Sequence, residues 1–174
     1  MTIRETLENY GITSIYHFTD KSNLEMIEKY GLQSLKNICD LNIDVKHFGA
    51  EELSHNLDQR KGLDKYVHLS FIKDHPMYHE AKKRGNLINP VWIELDSSIL
   101  YEKSTLFCDK VANQNNVEIF ALEYILEKIN FEILTDNRFL SGEEWKLRKE
   151  IRKAEILVFD SISIDKIKGI TYGN

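Results

Sequence analysis

Five short stretches of the chain have the periodicity or the composition of β-strands. Residues 66–71 (YVHLSF) and 91–96 (VWIELD) alternate apolar and polar positions, as strands with one buried face do. Residues 13–18 (TSIYHF) are rich in β-branched and aromatic side chains, which favour strands. Residues 154–159 (AEILVF) and 167–172 (IKGITY) have the apolar character of two closing strands.

Segments with helical signals separate these strands. Ser141 and Glu144 have the spacing of a capping box, and Thr19 or Asp20 can cap a helix that ends near Gly31. The predicted helices cover residues 3–9, the segment from Asp20 to Tyr30, residues 50–60, Pro76 to about Arg84, part of 117–131, and the segment that begins at Ser141.

Strands and helices interleave without a regular βαβ rhythm. This order predicts an α+β fold with a mixed or split antiparallel sheet. A chain of 174 residues fits one domain with one core. The loops are short, and neither an internal repeat nor a linker divides the chain. We therefore expect a single domain over residues 1–174.

Composition and cysteine use favour a cytoplasmic protein. Hydrophobic residues make up 42% of the chain and charged residues 29%, as in ordinary globular domains. No apolar run approaches the length of a membrane span, and the N-terminal sequence MTIRETLENYG is too polar for a signal peptide. Cys39 and Cys108 stand far apart without a C-x-x-C spacing, so we expect free thiols in a reducing compartment.

The formal net charge is −5, but positive charge is concentrated locally. Residues 145–153 (WKLRKEIRK) carry five positive charges and one negative charge, and residues 82–84 (KKR) form a second basic spot. Local patches of this kind allow an enzyme to contact a few nucleotides. The alternative is a solvated helix face with no binding role.

Motifs of several common enzyme classes are missing. The chain has no G-x-G-x-x-G and no G-x-x-x-x-G-K-[ST], so a Rossmann or P-loop nucleotide site is not expected. It also has no G-x-S-x-G and no H-E-x-x-H. His75 and His79 could share one helix face, but no third ligand stands at a diagnostic spacing. We therefore expect no metal and assign this pair a structural or solvent-facing role.

Two titratable residues are placed where they could act on a ligand. His17 ends a predicted strand just before a helix begins, so its imidazole could hydrogen-bond a ligand; the alternative is a partly buried histidine beside a helix cap. Glu155 opens an apolar strand, where burial is costly without hydrogen bonds. Arg152 or Lys153 could form a salt bridge with it. In a cleft, Glu155 could hold a sugar hydroxyl and stabilise positive charge, and at the rim it would be solvated.

Three further candidates carry weaker signals. Arg60 ends the helix predicted at 50–60, where it could bind an anion or complement the helix C-terminus. Met77 and Tyr78 follow Pro76 in the first turn of the next helix. These two side chains could line a pocket for a flat ring, or they could be part of the core.

Four motifs taken in order resemble the DarT family of ADP-ribosyltransferases, toxins that use NAD to modify bases in single-stranded DNA. They are IYHFTDKSNLEMIEKYGLQS (15–34), YVHLSFIKDHPMYH (66–79), VWIELD with LFCDKVAN (106–113), and RKAEILVFDSISIDKIKGI (152–170). The resemblance covers most of the chain. The YHFT opening alone is also similar to RNA 2′-phosphotransferases, which share the broader NAD-binding fold.

The resemblance implies an ADP-ribosyltransferase-like domain with a split sheet and NAD folded into the cleft between its halves. Glu155 matches the catalytic glutamate, and Arg60 is the best match for the catalytic arginine, although its spacing to the next strand is shorter here. The residues implied to contact NAD or to shape its pocket are His17, Phe18, Thr19, Met77 and Tyr78. Val111 stands where relatives often have a polar residue, which leaves open the modified base and the choice of DNA or RNA.

The resemblance also implies partners and a biological role. The nucleic acid is expected to be single-stranded, with DNA favoured over RNA, and its phosphates to meet Arg84, Lys146, Lys149 and Arg152. The protein is expected to be a monomeric toxin of a toxin–antitoxin or phage-defence system, with a cognate antitoxin and no membrane partner. The alternatives are an ADP-ribosyltransferase that acts on RNA, protein, a terminal phosphate or water, and a non-catalytic nucleotide-binding or interaction module.

Overall fold

The computed structural model describes residues 1–48 and 52–173. Nine strands fall within this part of the chain. Their bounds are β1 (Ser14–Asp20), β2 (Leu32–Gln33), β3 (Tyr66–Ser70), β4 (Pro90–Asp96), β5 (Leu106–Cys108), β6 (Ile119–Phe120), β7 (Glu155–Phe159), β8 (Ser161–Ile162) and β9 (Ile167–Tyr172). Seven of them form one sheet in the order β6-β5-β7-β3-β1-β4-β9, and β2 pairs with β8 beside it.

Eight α-helices of the described residues flank the sheet. They are α1 (Ile3–Asn9), α2 (Leu24–Tyr30), α3 (Leu35–Asp40), α4 (Glu52–Lys61), α5 (Pro76–Lys83), α6 (Ile125–Lys128), α7 (Phe131–Thr135) and α8 (Gly142–Ile151). Pro76 occupies the first turn of α5, where a missing N–H costs nothing. The interleaved strands and helices confirm the α+β prediction.

Helix capping differs from the prediction at two places. Ser141 precedes α8, but its side chain makes no capping hydrogen bond, so the expected capping box with Glu144 is absent. A complete capping box instead joins Thr2 and Glu5 at α1. Asp20 rather than Thr19 provides the cap before α2, by accepting from the Ser22 N–H.

The large sheet is divided between β3 and β1. β1 pairs with β4 along its whole length, and β3 pairs with β7 from Tyr66 to Ser70. Between β1 and β3, however, only Tyr16 and Ser70 are in register. The two strands therefore diverge and leave a gap between the halves β6-β5-β7-β3 and β1-β4-β9. The predicted split sheet is confirmed, and each pairing between the described strands is antiparallel.

Strand register brings Glu155 to the centre of one half-sheet. Glu155 is opposite Ser70 on one side and Cys108 on the other. Because side chains alternate between the two faces, the following residue, Ile156, points into the main core. The rigid strand β7 thus carries one buried carboxylate on the face opposite the core.

Gly31 fixes the position of the helices next to the divided sheet. It ends α2 with φ of +73°, a conformation that favours glycine. A Cβ at this position would lie 2.3 Å from the backbone oxygen of Ile162. The close approach lets β2 pair with β8 and holds α2 and α3 near the gap in the sheet.

Candidate active site

A cavity of about 250 Å³ lies where β1 and β3 diverge. Its polar wall includes His17, Thr19, Asp58, His68 and Glu155, from both halves of the sheet and from α4. Its apolar wall comes largely from α2, α3 and the residues after them: Met26, Ile27, Leu35, Ile38, Val45 and Phe48. An apolar cleft with a few convergent polar groups is typical of a small-molecule site.

Glu155 is held in this cavity through one of its two carboxylate oxygens. Its Oε2 accepts hydrogen bonds from the backbone N–H of Ala112, at 3.0 Å, and from Nδ1 of His68, at 3.2 Å. Burial alone would raise the pKa of Glu155, but the hydrogen bond and the charge of His68 outweigh it and lower the pKa. Its Oε1 has no hydrogen-bond partner among the described residues. Glu155 is therefore an ionised carboxylate with one oxygen available to a ligand.

His68 lies on β3 and bonds acceptors with both ring nitrogens. Nδ1 contacts Glu155 Oε2, and Nε2 contacts the backbone oxygen of Leu63 at 3.3 Å. Burial would lower the pKa of His68, but the hydrogen bond to Glu155 and the charges of Glu155 and Asp58 raise it to about 9. His68 was not predicted to be functional. The sequence feature that indicates a role is its place in YVHLSF, on the same strand face as Ser70, which pairs with Glu155.

His17 spans the gap between the two half-sheets. Its Nδ1 lies 3.0 Å from the backbone oxygen of His68, which can only accept, so Nδ1 carries the proton. Burial lowers the pKa of His17, and the ring is neutral. Nε2 is therefore an acceptor for a ligand hydroxyl or amide, as expected for a residue that contacts NAD.

Asn23 organises the cavity wall next to His17. Its Nδ2 donates to Thr19 Oγ1 at 3.0 Å and to the backbone oxygen of His47 at 2.6 Å. Its Oδ1 accepts from the backbone N–H of Lys46. The buried amide thus ties the end of β1 to the segment that leads toward α4. Asn23 is part of the opening motif (15–34), but only the fold shows its hydrogen-bond partners.

Of the two predicted pocket residues on α5, Met77 lines the cavity and Tyr78 does not. Tyr78 is buried against Trp92 and Phe18, with ring centroids 4.7 and 5.7 Å away. Phe18 itself reaches the cavity, so Tyr78 supports its ring from behind. His75, two residues before Met77, is buried and caps α5 by accepting from the Met77 N–H.

The structure places Arg60 outside the cavity. It is exposed near the end of α4, and it is not one of the described residues that line the site. Asp58, two residues earlier, does line it, and its Oδ1 is buried without a hydrogen-bond partner among the described residues. Burial raises the pKa of Asp58. The charge of His68 lowers this pKa, and the charge of Glu155 raises it further. Sequence analysis missed Asp58 because the orientation of α4 depends on tertiary packing.

The four basic residues predicted to meet DNA divide into two groups. Arg84, which follows the end of α5, and Lys146 and Lys149 on α8 are at the surface. Arg152 is buried: it forms an ion pair with Asp74 and donates to the backbone of α7 and the residues after it. The salt bridge to Glu155 that the sequence allowed for Arg152 does not form.

Lys153 is likewise turned away from Glu155, and forms an ion pair with Glu150. Within residues 1–48 and 52–173, no three His, Cys, Asp or Glu side chains come together as a metal site would require. In the same part of the chain, no helix is both long and apolar enough to cross a membrane.

Comparison with known proteins identifies the family. The model of the DarT family, described as ssDNA thymidine ADP-ribosyltransferase, matches residues 16–174. No curated protein sequence matches the chain significantly.

Solved DarT structures share the fold. Thermus sp. 2.9 DarT in complex with ADP-ribosylated ssDNA is 18% identical with a TM-score of 0.72, and the match covers 94% of this chain and 83% of that one. The same DarT in complex with NAD+ is 17% identical with a TM-score of 0.65 and the same coverage.

A third structure, Thermosipho africanus DarTG in complex with ADP-ribose, is 19% identical with a TM-score of 0.71. The match covers 92% of the present chain but only 44% of the Thermosipho chain. Because the family model extends over most of the sequence, the protein belongs to the DarT family, and the resemblance found in its motifs is confirmed.

Proposed function

We propose that this protein transfers ADP-ribose from NAD to a thymidine base in single-stranded DNA. One observation carries the proposal: Glu155 is a buried, ionised carboxylate whose Oε2 is fixed and whose Oε1 is available at a cavity between the half-sheets. Family membership supports the reaction, and a relative with the same fold was solved with NAD+ and with ADP-ribosylated ssDNA.

In the proposed reaction, NAD binds in the gap between β1 and β3. Oε1 of Glu155 accepts a hydrogen bond from a hydroxyl of the nicotinamide ribose. As the bond between the anomeric carbon and nicotinamide breaks, its electron pair leaves with nicotinamide and the sugar becomes cationic. The carboxylate stabilises this charge, because it is buried and held in place by His68 and the Ala112 N–H.

His17 and its neighbours position the dinucleotide. The unprotonated Nε2 of His17 accepts a hydrogen bond from an NAD hydroxyl or amide, while its Nδ1–H remains on the backbone of His68. Phe18 and Met77 provide apolar surface for a flat ring, and Thr19 stays oriented by Asn23. These residues bind NAD and restrict its conformations, which brings the reactive sugar next to Glu155.

The acceptor completes the transfer. A ring nitrogen of a thymine in single-stranded DNA attacks the anomeric carbon, a nitrogen–carbon bond forms, and the proton of that ring nitrogen passes to solvent. Arg60 remains our proposed partner for the negative charge of the base, although it lies outside the cavity in this structure. Arg84, Lys146 and Lys149 are the proposed phosphate contacts. Arg152 is buried and donates to protein acceptors from each of its three side-chain nitrogens, so it is better explained as a structural residue.

Membership of the DarT family supports a biological role for the protein. We propose that the protein is a cytoplasmic toxin, acts as one monomeric domain and is controlled by an antitoxin that reverses or blocks the modification. Its two cysteines are free thiols, consistent with a reducing compartment.

Mass spectrometry of oligonucleotides tests the proposal. Single-stranded DNA and RNA mixtures are incubated with NAD and with the wild-type protein, the Glu155→Ala variant, or Glu150→Ala as an exposed-carboxylate control. We expect a mass gain of one ADP-ribose on thymidine-containing DNA with the wild type and the control, and none with Glu155→Ala. A gain on RNA alone would replace the DNA acceptor by an RNA acceptor, and full activity of Glu155→Ala would refute the assignment of Glu155.

A further inference from the structure

We propose that His68 is a positioning residue for this transfer. As an imidazolium it holds Glu155 through Oε2, so that the carboxylate stays ionised and its Oε1 remains directed at the NAD ribose. The inference rests on the proposed function, because it assigns a role relative to the catalytic glutamate. It adds a residue from β3, a strand on which the family resemblance implied no site residue.

The hydrogen bonds of His68 define its protonation state. Nδ1 meets a carboxylate oxygen and Nε2 meets the backbone oxygen of Leu63. An ionised Glu155 and a backbone oxygen only accept, so both ring nitrogens donate to them, and a histidine with two N–H groups is an imidazolium. Beside an ionised Glu155, a neutral ring would turn one of these two contacts, at 3.2 and 3.3 Å, into an unfavourable pairing of lone pairs.

His68 is also the point where the two halves of the site meet. Its side chain holds Glu155, and its backbone oxygen accepts the Nδ1–H of His17. His68 and Glu155 are on adjacent strands, where His68 is opposite Leu157 and Glu155 is opposite Ser70. The pair is therefore fixed by strand register, and its geometry does not depend on a mobile loop.

Other charged groups near the pair make a cation necessary. Asp58 on α4 approaches both His68 and Glu155, and its negative charge opposes ionisation of Glu155. The Ala112 N–H favours the ionised form of Glu155, the pKa of His75 is lowered by burial so that its ring is neutral at pH 7, and the buried Cys108 thiol on β5 remains protonated. These groups persist when His68 is replaced.

Without the imidazolium, Glu155 would be a buried carboxyl group beside a second carboxyl group. Its pKa would then rise. Two carboxylates in a site of low dielectric ionise less readily than one, so a larger fraction of Glu155 would carry a proton near neutral pH. A protonated Glu155 can hydrogen-bond a sugar but cannot stabilise its positive charge.

Steady-state kinetics of two variants test the role of His68. His68→Asn retains a neutral donor near the position of Nδ1, and His68→Leu removes the donor as well as the charge. His79→Asn, an exposed histidine on α5, is the control. Initial rates of nicotinamide release in the presence of DNA are measured across pH, and kcat and KM for NAD are separated.

The expected result is a loss of kcat with little change in KM. We expect His68→Asn to lower kcat at pH 7 about tenfold, because a neutral amide holds the carboxylate less firmly than an imidazolium does. We also expect the acid limb of the kcat profile to move upward by about one pH unit, since the charge that favours ionised Glu155 is gone. His68→Leu should lose about a further tenfold. The control should match the wild type in both respects.

Three results would overturn the proposal. Wild-type kcat and an unmoved acid limb in His68→Asn would show that the imidazolium is dispensable. A lower melting temperature with the pH profile unchanged would reduce His68 to a structural residue. Nitrogen-15 spectra of the wild type provide a test that needs no variant, because a neutral His68 ring at pH 7 contradicts the proposed state.

Failure of this inference can be told apart from failure of the proposed function. If Glu155→Ala abolishes ADP-ribosyl transfer while His68→Asn behaves as the wild type, only the role of His68 is wrong. If Glu155→Ala remains fully active, the catalytic assignment itself is wrong.

Discussion

Arg152 and Glu155 are neighbours in sequence, are both buried and both form an ion pair, but their surroundings differ. The guanidinium of Arg152 is surrounded by protein acceptors: Asp74, the backbone oxygen of Leu134 and the backbone oxygen of Asp136. The carboxylate of Glu155 uses one oxygen for protein donors and leaves the other at the cavity. The two residues are separated only by Lys153 and Ala154, yet Arg152 stabilises the fold and Glu155 belongs to the candidate active site.

The difference shows how a buried charge can be assigned a role. A charged group whose hydrogen-bonding capacity is used up by the protein stabilises the fold and offers nothing to a ligand. A charged group that is held firmly but incompletely keeps capacity for a partner that arrives later. The sequence motif RKAE contains one residue of each kind, and family resemblance alone does not separate them.

Glu155→Gln provides the largest expected effect. The amide keeps the size of the side chain but cannot carry the negative charge that stabilises the cationic sugar. We expect kcat for ADP-ribosyl transfer to fall by about 10²- to 10³-fold, with KM for NAD changed little. Glu150→Gln on the exposed face of α8 serves as the control and should keep wild-type kinetics. Retention of more than a third of the wild-type kcat would remove the distinction between the two buried residues.

Replacement of Arg152 should lower the stability of the fold and leave the activity nearly unchanged. Arg152→Leu leaves several backbone oxygens and Asp74 without their donor, so we expect the free energy of unfolding to fall by about 3 kcal/mol. Activity per folded molecule should stay close to that of the wild type. Urea titration measures the first quantity, and kinetics below the unfolding transition measure the second.

Arg138→Leu is a suitable comparison for this experiment, because the Arg138 side chain is 82% exposed, although its partner Asp136 is largely covered. That variant should be nearly as stable as the wild type. A fully stable Arg152→Leu protein with weakened DNA binding would instead restore the prediction that Arg152 contacts phosphate.

These contrasts show what the sequence could and could not provide. Alternation and composition located the strands, and a carboxylate at the start of an apolar strand identified Glu155, because both signals are local. His68 was missed because its partner lies 87 residues away and depends on the register between β3 and β7. Arg152 was grouped with a basic run because nothing local shows that its side chain turns toward α7. Arg60 was predicted as the best match for the family's catalytic arginine and from its place at the end of a predicted helix, whereas packing of α4 presents Asp58 to the cavity.

The pH dependence of stability sharpens the comparison further. The folded-state pKa of His68, about 9, is above its ordinary value of 6.5, so the pair stabilises the fold fully below pH 6.5 and loses its effect as pH rises through 9. His17 and His75 have lowered pKa values and are neutral in both states above pH 7. Between pH 7 and 9.5 we therefore expect the wild type to lose about 2 kcal/mol of unfolding free energy relative to Glu155→Gln.

Urea titrations of both proteins at pH 7, 8, 9 and 9.5 measure this difference. Arg152 does not titrate in the same interval, so Arg152→Leu should run parallel to the wild type across it. Parallel curves for the wild type and Glu155→Gln would mean that His68 is not charged in the folded protein.

The smallest expected effect concerns the exposed part of the same basic run. Lys146 pairs with Glu143, and Lys149 lies over the ring of Trp145 at 5.4 Å, so both remain at the surface of α8. If they contact phosphates, Lys146→Ala combined with Lys149→Ala should weaken single-stranded DNA binding several-fold. It should also reduce the slope of log affinity against log salt by about 1, because binding with fewer phosphate contacts releases fewer counterions.

Fluorescence anisotropy at several salt concentrations measures that slope, with Lys103→Ala as an exposed lysine outside the basic run. kcat at saturating DNA should not change, because neither lysine lines the cavity. An unaltered slope would place the DNA strand on another surface and leave α8 as a solvated helix. A reduced slope would establish that one short segment, residues 145–155, contains a DNA contact, a structural ion pair and the glutamate at the cavity. Within that segment, the direction in which each side chain faces decides which role it has.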